Sequence, residues 1–163
     1  MTVAIGQGYD AHRFSEEIGD FSVTLAGVPI PHDRFIVAHS DGDVLIHAFC
    51  DALLGALALG DIGQHFPDSD PAYADIDSRE LLAEVYQLVN DNGFALSNGD
   101  MTVMAETPRL APHIVVMRES LADVIGVLPG KISIKATTTE GMGFVGRKEG
   151  IAVLAIVLLE SLK

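Results

Sequence analysis

Tryptophan is absent, tyrosine occurs three times and cysteine once, at position 50. A single cysteine excludes an intrachain disulfide, so the fold must hold without covalent staples, as is usual in reducing compartments. Basic side chains are scarce. Ten Lys and Arg stand against 23 Asp and Glu, giving a net charge of −13. Such a chain suits neither the phosphate backbone of a nucleic acid nor an anionic membrane surface. Long apolar runs are missing as well. The longest, Ile151 to Leu159, has nine residues, whereas a membrane helix needs about 20. Met1 to Gly8 lacks the basic stretch and apolar stretch of a secretory leader. The expectation is a soluble, cytoplasmic protein that binds neither nucleic acid nor membrane.

What is present is enough for one core: 163 residues, 48% of them apolar, with no internal repeat or linker-like stretch. This predicts one domain over residues 1–163. Met1 to Tyr9 alternates loosely and predicts a strand ending at Gly6 to Gly8 or just beyond. Phe21 to Leu25 and the following Ala26-Gly27-Val28-Pro29 predict a small hairpin or edge element. Apolar positions 45, 46, 49, 53, 56 and 57 predict a helix across 44–59, capped by Asp41 or Asp43. Residues 61–74, with three Asp and two Pro, read as a loop of a length that is usually functional or mobile. Asp77 caps a helix from about Ser78 to Asn90, ended by Gly93. Gly99 to Glu106 predicts a strand stopped by Pro108, Pro112 to Ile125 a helix, Lys131 to Ala136 a strand, and Ile151 to Leu159 a buried strand. The order implies an α+β fold, a small mixed sheet with helices packed on one face.

Several clusters carry chemistry. In Asp10-Ala11-His12, strand spacing points residues 10 and 12 to one face. With His47 on the following helix they make an oxygen-nitrogen-nitrogen set, the pattern of a catalytic zinc site with an open fourth position. The bland alternative leaves His12 in a loop and His47 as a satisfied core histidine. Lys135-Ala136-Thr137-Thr138-Thr139-Glu140-Gly141 offers three hydroxyl donors for phosphate oxygens and a carboxylate for a hard cation, although threonine also suits a strand extension. Arg147, in Gly143-Phe144-Val145-Gly146-Arg147, can grip a phosphate through its planar fork or lie solvated on the surface. Asp61-Ile62-Gly63 and Phe66-Pro67-Asp68-Ser69-Asp70 offer carboxylates to a polyol, or serve as turn residues. In Ala105-Glu106-Thr107-Pro108-Arg109-Leu110, backbone amides can read a base edge, although any strand-to-helix connection looks similar. Cys50 reads as core packing.

Together these segments resemble the 2-C-methyl-D-erythritol 2,4-cyclodiphosphate synthase family, in order and spacing and over nearly the whole chain. The resemblance rests on Gly8-Tyr9-Asp10-Ala11-His12, Ala38-His39-Ser40-Asp41-Gly42-Asp43-Val44 with His47, Gly60-Asp61-Ile62-Gly63, Phe66 to Asp70, Asp77-Ser78-Arg79, Lys135 to Glu140, and Gly143-Phe144 with Gly146-Arg147. It implies a homotrimer with active sites between subunits. It implies zinc on Asp10, His12 and His47, and magnesium or manganese near Glu140. Substrate contacts are implied at Asp10 to His12, His39, Ser40, Asp61, Ile62, Gly63, Phe66, Pro67, Asp68, Ser69 and Asp70. On the cytidine diphosphate side they are implied at Ala105, Glu106, Thr107, Pro108, Arg109, Leu110, Ala111 and Thr137, Thr138, Thr139, Glu140, and also at Phe144 and Arg147. His39 and Thr138 match positions tied to the transition state. An axial cavity able to take isoprenoid diphosphates is implied near Arg147. Relatives often carry lysine at the position of Arg109. The activity implied is cyclisation of 4-diphosphocytidyl-2-C-methyl-D-erythritol 2-phosphate with release of CMP. The alternatives are a metal-dependent phosphohydrolase on the same site and a non-catalytic trimeric carrier or sensor of isoprenoid diphosphates.

Overall fold

Glycines at positions 6 and 8 decide where the longest buried helix lies. The computed structural model describes residues 2–38, 40–67 and 76–162. Its first strand, β1 (Val3–Arg13), runs straight through both glycines. A Cβ on Gly6 would fall 1.9 Å from the Ala52 carbonyl oxygen, and one on Gly8 would fall 2.0 Å from that of Ala48. The helix α1 (Val44–Ala56) therefore rests its backbone directly on the strand. Ala48 and Ala52, one turn apart, form the matching smooth line. The expected strand end at Gly6 to Gly8 is thus overturned: these glycines mark close approach of another backbone, not a turn.

β2 (Phe21–Leu25) and β3 (Val28–His32) pair through the two-residue turn Ala26-Gly27. Both turn residues have positive φ, 56° and 72°, as the tight hairpin turn requires. The Gly27 amide donates to Asp43 Oδ2 at 2.7 Å, and the Ile46 amide to Asp43 Oδ1 at 3.0 Å. Asp43 is the N-cap of α1 and ties the hairpin to it. Ten of the thirteen α1 residues are buried, so the helix is enclosed nearly all round rather than along the one stripe expected. It ends at Ala56, short of the predicted 59. The Ala58 and Leu59 amides fold back onto the carbonyls of Gly55 and Leu54, and Ala58 takes φ 56° where a cap usually has glycine.

Within the loop expected from 61 to 74, Asp61 caps a single turn, α2 (Ile62–His65). α3 (Ser78–Asp91) starts at its predicted cap, Asp77. β4 (Phe94–Met104) begins five residues before the predicted Gly99. A bulge between Leu96 and Asn98 breaks the alternation there, which hid the start. A 3-10 turn at Ala111–His113 leads into α4 (Ile114–Ile125). β5 (Ile132–Thr137), the short α5 (Gly143–Gly146) and β6 (Gly150–Ser161) complete the described elements.

The main sheet has the order β1-β6-β4-β5. β6 is antiparallel to both neighbours, and β5 runs parallel to β4. The fold is α+β with a mixed sheet, as expected. One face of the sheet is buried under the helices: Gly8, Ala155, Met101 and Ile134 form one row across it, all buried. The other face is bare and apolar over β1 and β6, with Ile5 71%, Tyr9 52% and Ile156 47% exposed.

Gly8→Ala is predicted to destabilise the protein by about 3 kcal/mol or more, because the added methyl meets backbone rather than a flexible side chain. Denaturant unfolding checks this. Stability within about 0.5 kcal/mol of the parent would contradict the contact.

Candidate active site

On β1 the residues that share a face with Gly6 and Gly8 are Asp10 and His12. The strand carries them past the alanine line of α1 to that helix's first turn, where His47 sits beside Ala48. Asp10 Oδ2 lies 3.2 Å from Nδ1 of His12 and 3.2 Å from Nδ1 of His47. One ligand atom from each of the three residues falls within 4.8 Å of the others, a group that could hold a metal ion. The His47 side chain is 9% exposed and that of Asp10 26%, so the set is half enclosed.

A hydrogen-bonded chain behind His47 sets its tautomer. The Ser78 hydroxyl donates to Asp41 Oδ1, and the Ser78 amide donates to Asp41 Oδ2 at 3.0 Å. With its proton committed, Ser78 Oγ accepts from His47 Nε2 at 3.1 Å. Neutral His47 therefore turns a lone pair, on Nδ1, toward the Asp10 carboxylate. Two electron-rich atoms 3.2 Å apart require a proton or a cation between them. His12 Nδ1 makes the same demand: it is buried and, although close to Asp10, is not aligned for a hydrogen bond with any group. The donors fit a cation.

The titration tendencies agree. Burial favours the neutral His47 imidazole, but the bond to Asp10 and the charges of Asp10, Asp43 and Asp41 outweigh it and push His47 up. Burial likewise raises the Asp10 carboxyl, yet its contacts with His12 and His47 hold it well below the usual carboxylate range.

Other predicted residues fall as follows. Ser40 Oγ lies 3.5 Å from His47 Nε2, at the edge of bonding range, and accepts from the Gly42 amide at 3.2 Å. His39, Asp68, Ser69 and Asp70 lie outside the described residues. Asp61 spends one oxygen on the Gln64 amide and the other on the Gln64 side chain, both at 3.0 Å, as a turn residue does. Ile62 and Gly63 are in α2, Phe66 is its buried C-cap and Pro67 follows.

Because β4 and β5 are parallel neighbours, the loops leaving their ends, 105–111 and 138–142, emerge side by side. Glu106 Oε1 clasps them together, accepting from the Thr139 amide at 3.0 Å and the Gly141 amide at 3.3 Å. Thr138 Oγ1 donates to Glu140 Oε1 at 2.8 Å, and both residues are exposed. Thr107 Oγ1 bonds His32 Nε2 at 3.1 Å. Leu110 is buried in the core and Ala111 opens the 3-10 turn. Phe144 is 38% exposed. Arg147 is paired with Glu149, Nε to Oε1 at 2.6 Å.

The two halves do not meet within one chain. Asp10 is in register with Val153, Val153 with Val103, and Val103 with Ala136. Three strand spacings, about 14 Å, therefore separate the metal-ligand strand from the strand leading to Thr138. Sequence reasoning missed Ser78 and Asp41 as supports of His47, and His32 as the anchor of Thr107. Asp41 had looked like a helix cap, and no short-range pattern links it to residue 78.

Residues 3–160 match the YgbB family. The 2-C-methyl-D-erythritol 2,4-cyclodiphosphate synthase of Acinetobacter baumannii is 60% identical over 157 residues, covering 96% of each chain. The bifunctional IspDF of Campylobacter jejuni superposes with a TM-score of 0.93 at 43% identity. That match covers 99% of this chain and 43% of the larger one. IspF of Plasmodium falciparum, in complex with CDP, superposes with a TM-score of 0.86 at 30% identity, covering 99% of this chain and 97% of that one.

In the metal-free protein, His47 is predicted to titrate above the ordinary imidazole value of 6.5. Asp10→Asn should lower that midpoint, since burial then acts against fewer charges. Histidine ring NMR checks it, and an unchanged midpoint in the variant would contradict the coupling.

Proposed function

The chain belongs to the YgbB family of 2-C-methyl-D-erythritol 2,4-cyclodiphosphate synthases, and on that premise we propose that it cyclises 4-diphosphocytidyl-2-C-methyl-D-erythritol 2-phosphate. An oxygen of the 2-phosphate attacks the β-phosphorus and a new P–O bond forms. The bond from that phosphorus to the oxygen bridging it to the α-phosphate breaks, and CMP leaves with that oxygen. No water is consumed, so the reaction is that of a phosphorus–oxygen lyase in isoprenoid precursor synthesis, carried out in the cytoplasm. The observation that carries the reading is the convergence of Asp10, His12 and His47 on one point.

A phosphate oxygen is already an anionic nucleophile at neutral pH, so little general-base work is needed. The difficulty is holding two anionic groups together, which makes alignment and charge neutralisation the main tasks. Asp10, His12 and His47 would hold zinc. Glu140 would hold magnesium or manganese. When bound, these cations supply Lewis-acid charge at the phosphoryl oxygens. The chain's own groups do the rest. Ser78 and Asp41 fix the His47 ring. Thr138 offers a hydroxyl to a phosphate oxygen, and His39 joins it at the transition state. Ser40, Asp61 to Gly63 and Phe66 to Asp70 embrace the methylerythritol end. The clasped loops Ala105 to Ala111 and Thr137 to Glu140 hold the cytidine diphosphate, with Phe144 and Arg147 as further contacts.

Two features support a homotrimer with sites between subunits. The outer face of the sheet exposes Ile5, Tyr9, Leu154 and Ile156 together, a grouping of the kind that marks an interface, and the separated half-sites would be completed when one subunit's metal edge meets a neighbour's nucleotide loops. Arg147 and Phe144 would then border an axial cavity for isoprenoid diphosphates.

Phosphorus NMR of pure protein with this substrate and magnesium should show the cyclic diphosphate and CMP. An open-chain product would indicate a phosphohydrolase instead, and no product from metal-replete protein would remove the reading. His47→Ala should lose zinc and slow turnover more than about a hundredfold, and stoichiometric zinc in that variant would contradict the ligand set.

A further inference from the structure

Three of the chain's ten basic residues, Arg34, Arg109 and Lys148, come from three separate connections and line one cavity of about 350 Å³. That is room for a small ligand. Its floor is built. Phe14 and His32 stack with centroids 4.6 Å apart at 27°, and the His32 side chain is 5% exposed. His32 Nδ1 lies 2.8 Å from the Arg34 carbonyl oxygen and 3.0 Å from its amide nitrogen, so the stack fixes the backbone that carries Arg34. Lys148 takes a left-handed φ of 58°, a conformation costly for a residue with a side chain.

The cations are free. Arg79, Lys135 and Arg147 each pair with a carboxylate. Arg34, Arg109 and Lys148 pair with none among the described residues. In a chain of net charge −13, three unpaired cations around one concavity form a local field opposite to the whole. Asp33 is the one carboxylate on the wall; it is 65% exposed and lies 3.5 Å from His32 Nδ1. Two guanidinium forks and an ammonium match phosphate oxygens.

We propose that this cavity binds a small phosphorylated anion at a site separate from Asp10, His12 and His47, none of which lines it. The proposal goes beyond the cyclase reading, which uses Thr107, Pro108 and Arg109 of the lining but neither Arg34 nor Lys148.

The test is calorimetric titration of inorganic diphosphate into the full-length assembled protein and four variants. Saturable binding is expected in the parent and in His47→Ala. Arg34→Gln and Lys148→Gln should each weaken it by about fivefold or more. Lys148→Gly, which removes both the ammonium and the strain, should weaken it likewise without loss of folding. No saturation up to about 10 mM would overturn the proposal. So would binding that His47→Ala abolishes while the Arg34 and Lys148 variants leave it intact, because the anion would then sit at the metal set. CMP release by the parent, measured on the same sample, tests the cyclase reading independently.

Discussion

The architecture hinges on one close approach between two backbones. α1 can rest on β1 only because Gly6 and Gly8 present no side chains to the carbonyls of Ala52 and Ala48. The chemistry depends on that approach. Asp10 and His12 continue the glycine face of the strand, and His47 adjoins the alanine line of the helix. A wider helix–sheet spacing, the usual result of packing large side chains, would open the 3.2 Å separations among the three ligand atoms. Asp43 secures the same region from the other side, capping α1 while holding the hairpin turn.

Electrostatics at the centre follows from this enclosure. Asp10 and His12 are half-buried and His47 is buried, and the Asp41–Ser78 pair turns the His47 lone pair inward. Without a cation, a proton must fill the gap, which is why His47 is pushed up and Asp10 held down. The net charge of −13 is therefore no obstacle to an anionic substrate. On the proposed reading Asp10 and Glu140 would recruit cations, while Arg34, Arg109 and Lys148 gather around one cavity.

Much of this was legible in the sequence where a local rule governs. Asp77 and the pair Asp41 or Asp43 announced their helices, the alternation of Phe21 to Leu25 followed by Ala26-Gly27-Val28-Pro29 announced a hairpin or edge element, and strand spacing put Asp10 and His12 on one face. What escaped depends on contacts distant in sequence. Glycines in β1 resembled a strand end until the helix beneath them was seen. The bulge at Leu96 to Asn98 concealed the start of β4, and the apolar stripe that announced α1 did not show that the helix is enclosed nearly all round. Ser78 lies 31 residues from His47 and His32 lies 75 from Thr107, so no motif could join them. The role of the acidic loop is unplaced by geometry, since Asp68 to Asp70 lie outside the described residues and Asp61 is occupied as a cap.

The proposed trimer draws on the bare sheet face and the divided half-sites, but the central claim concerns the metal set within one chain. Anomalous diffraction at the zinc edge, from crystals of zinc-loaded protein, tests it most directly. The account predicts one strong peak per chain, ligated by Asp10 Oδ2, His12 Nδ1 and His47 Nδ1. A peak elsewhere, or ligation through His47 Nε2 with the Ser78 bond broken, would contradict it.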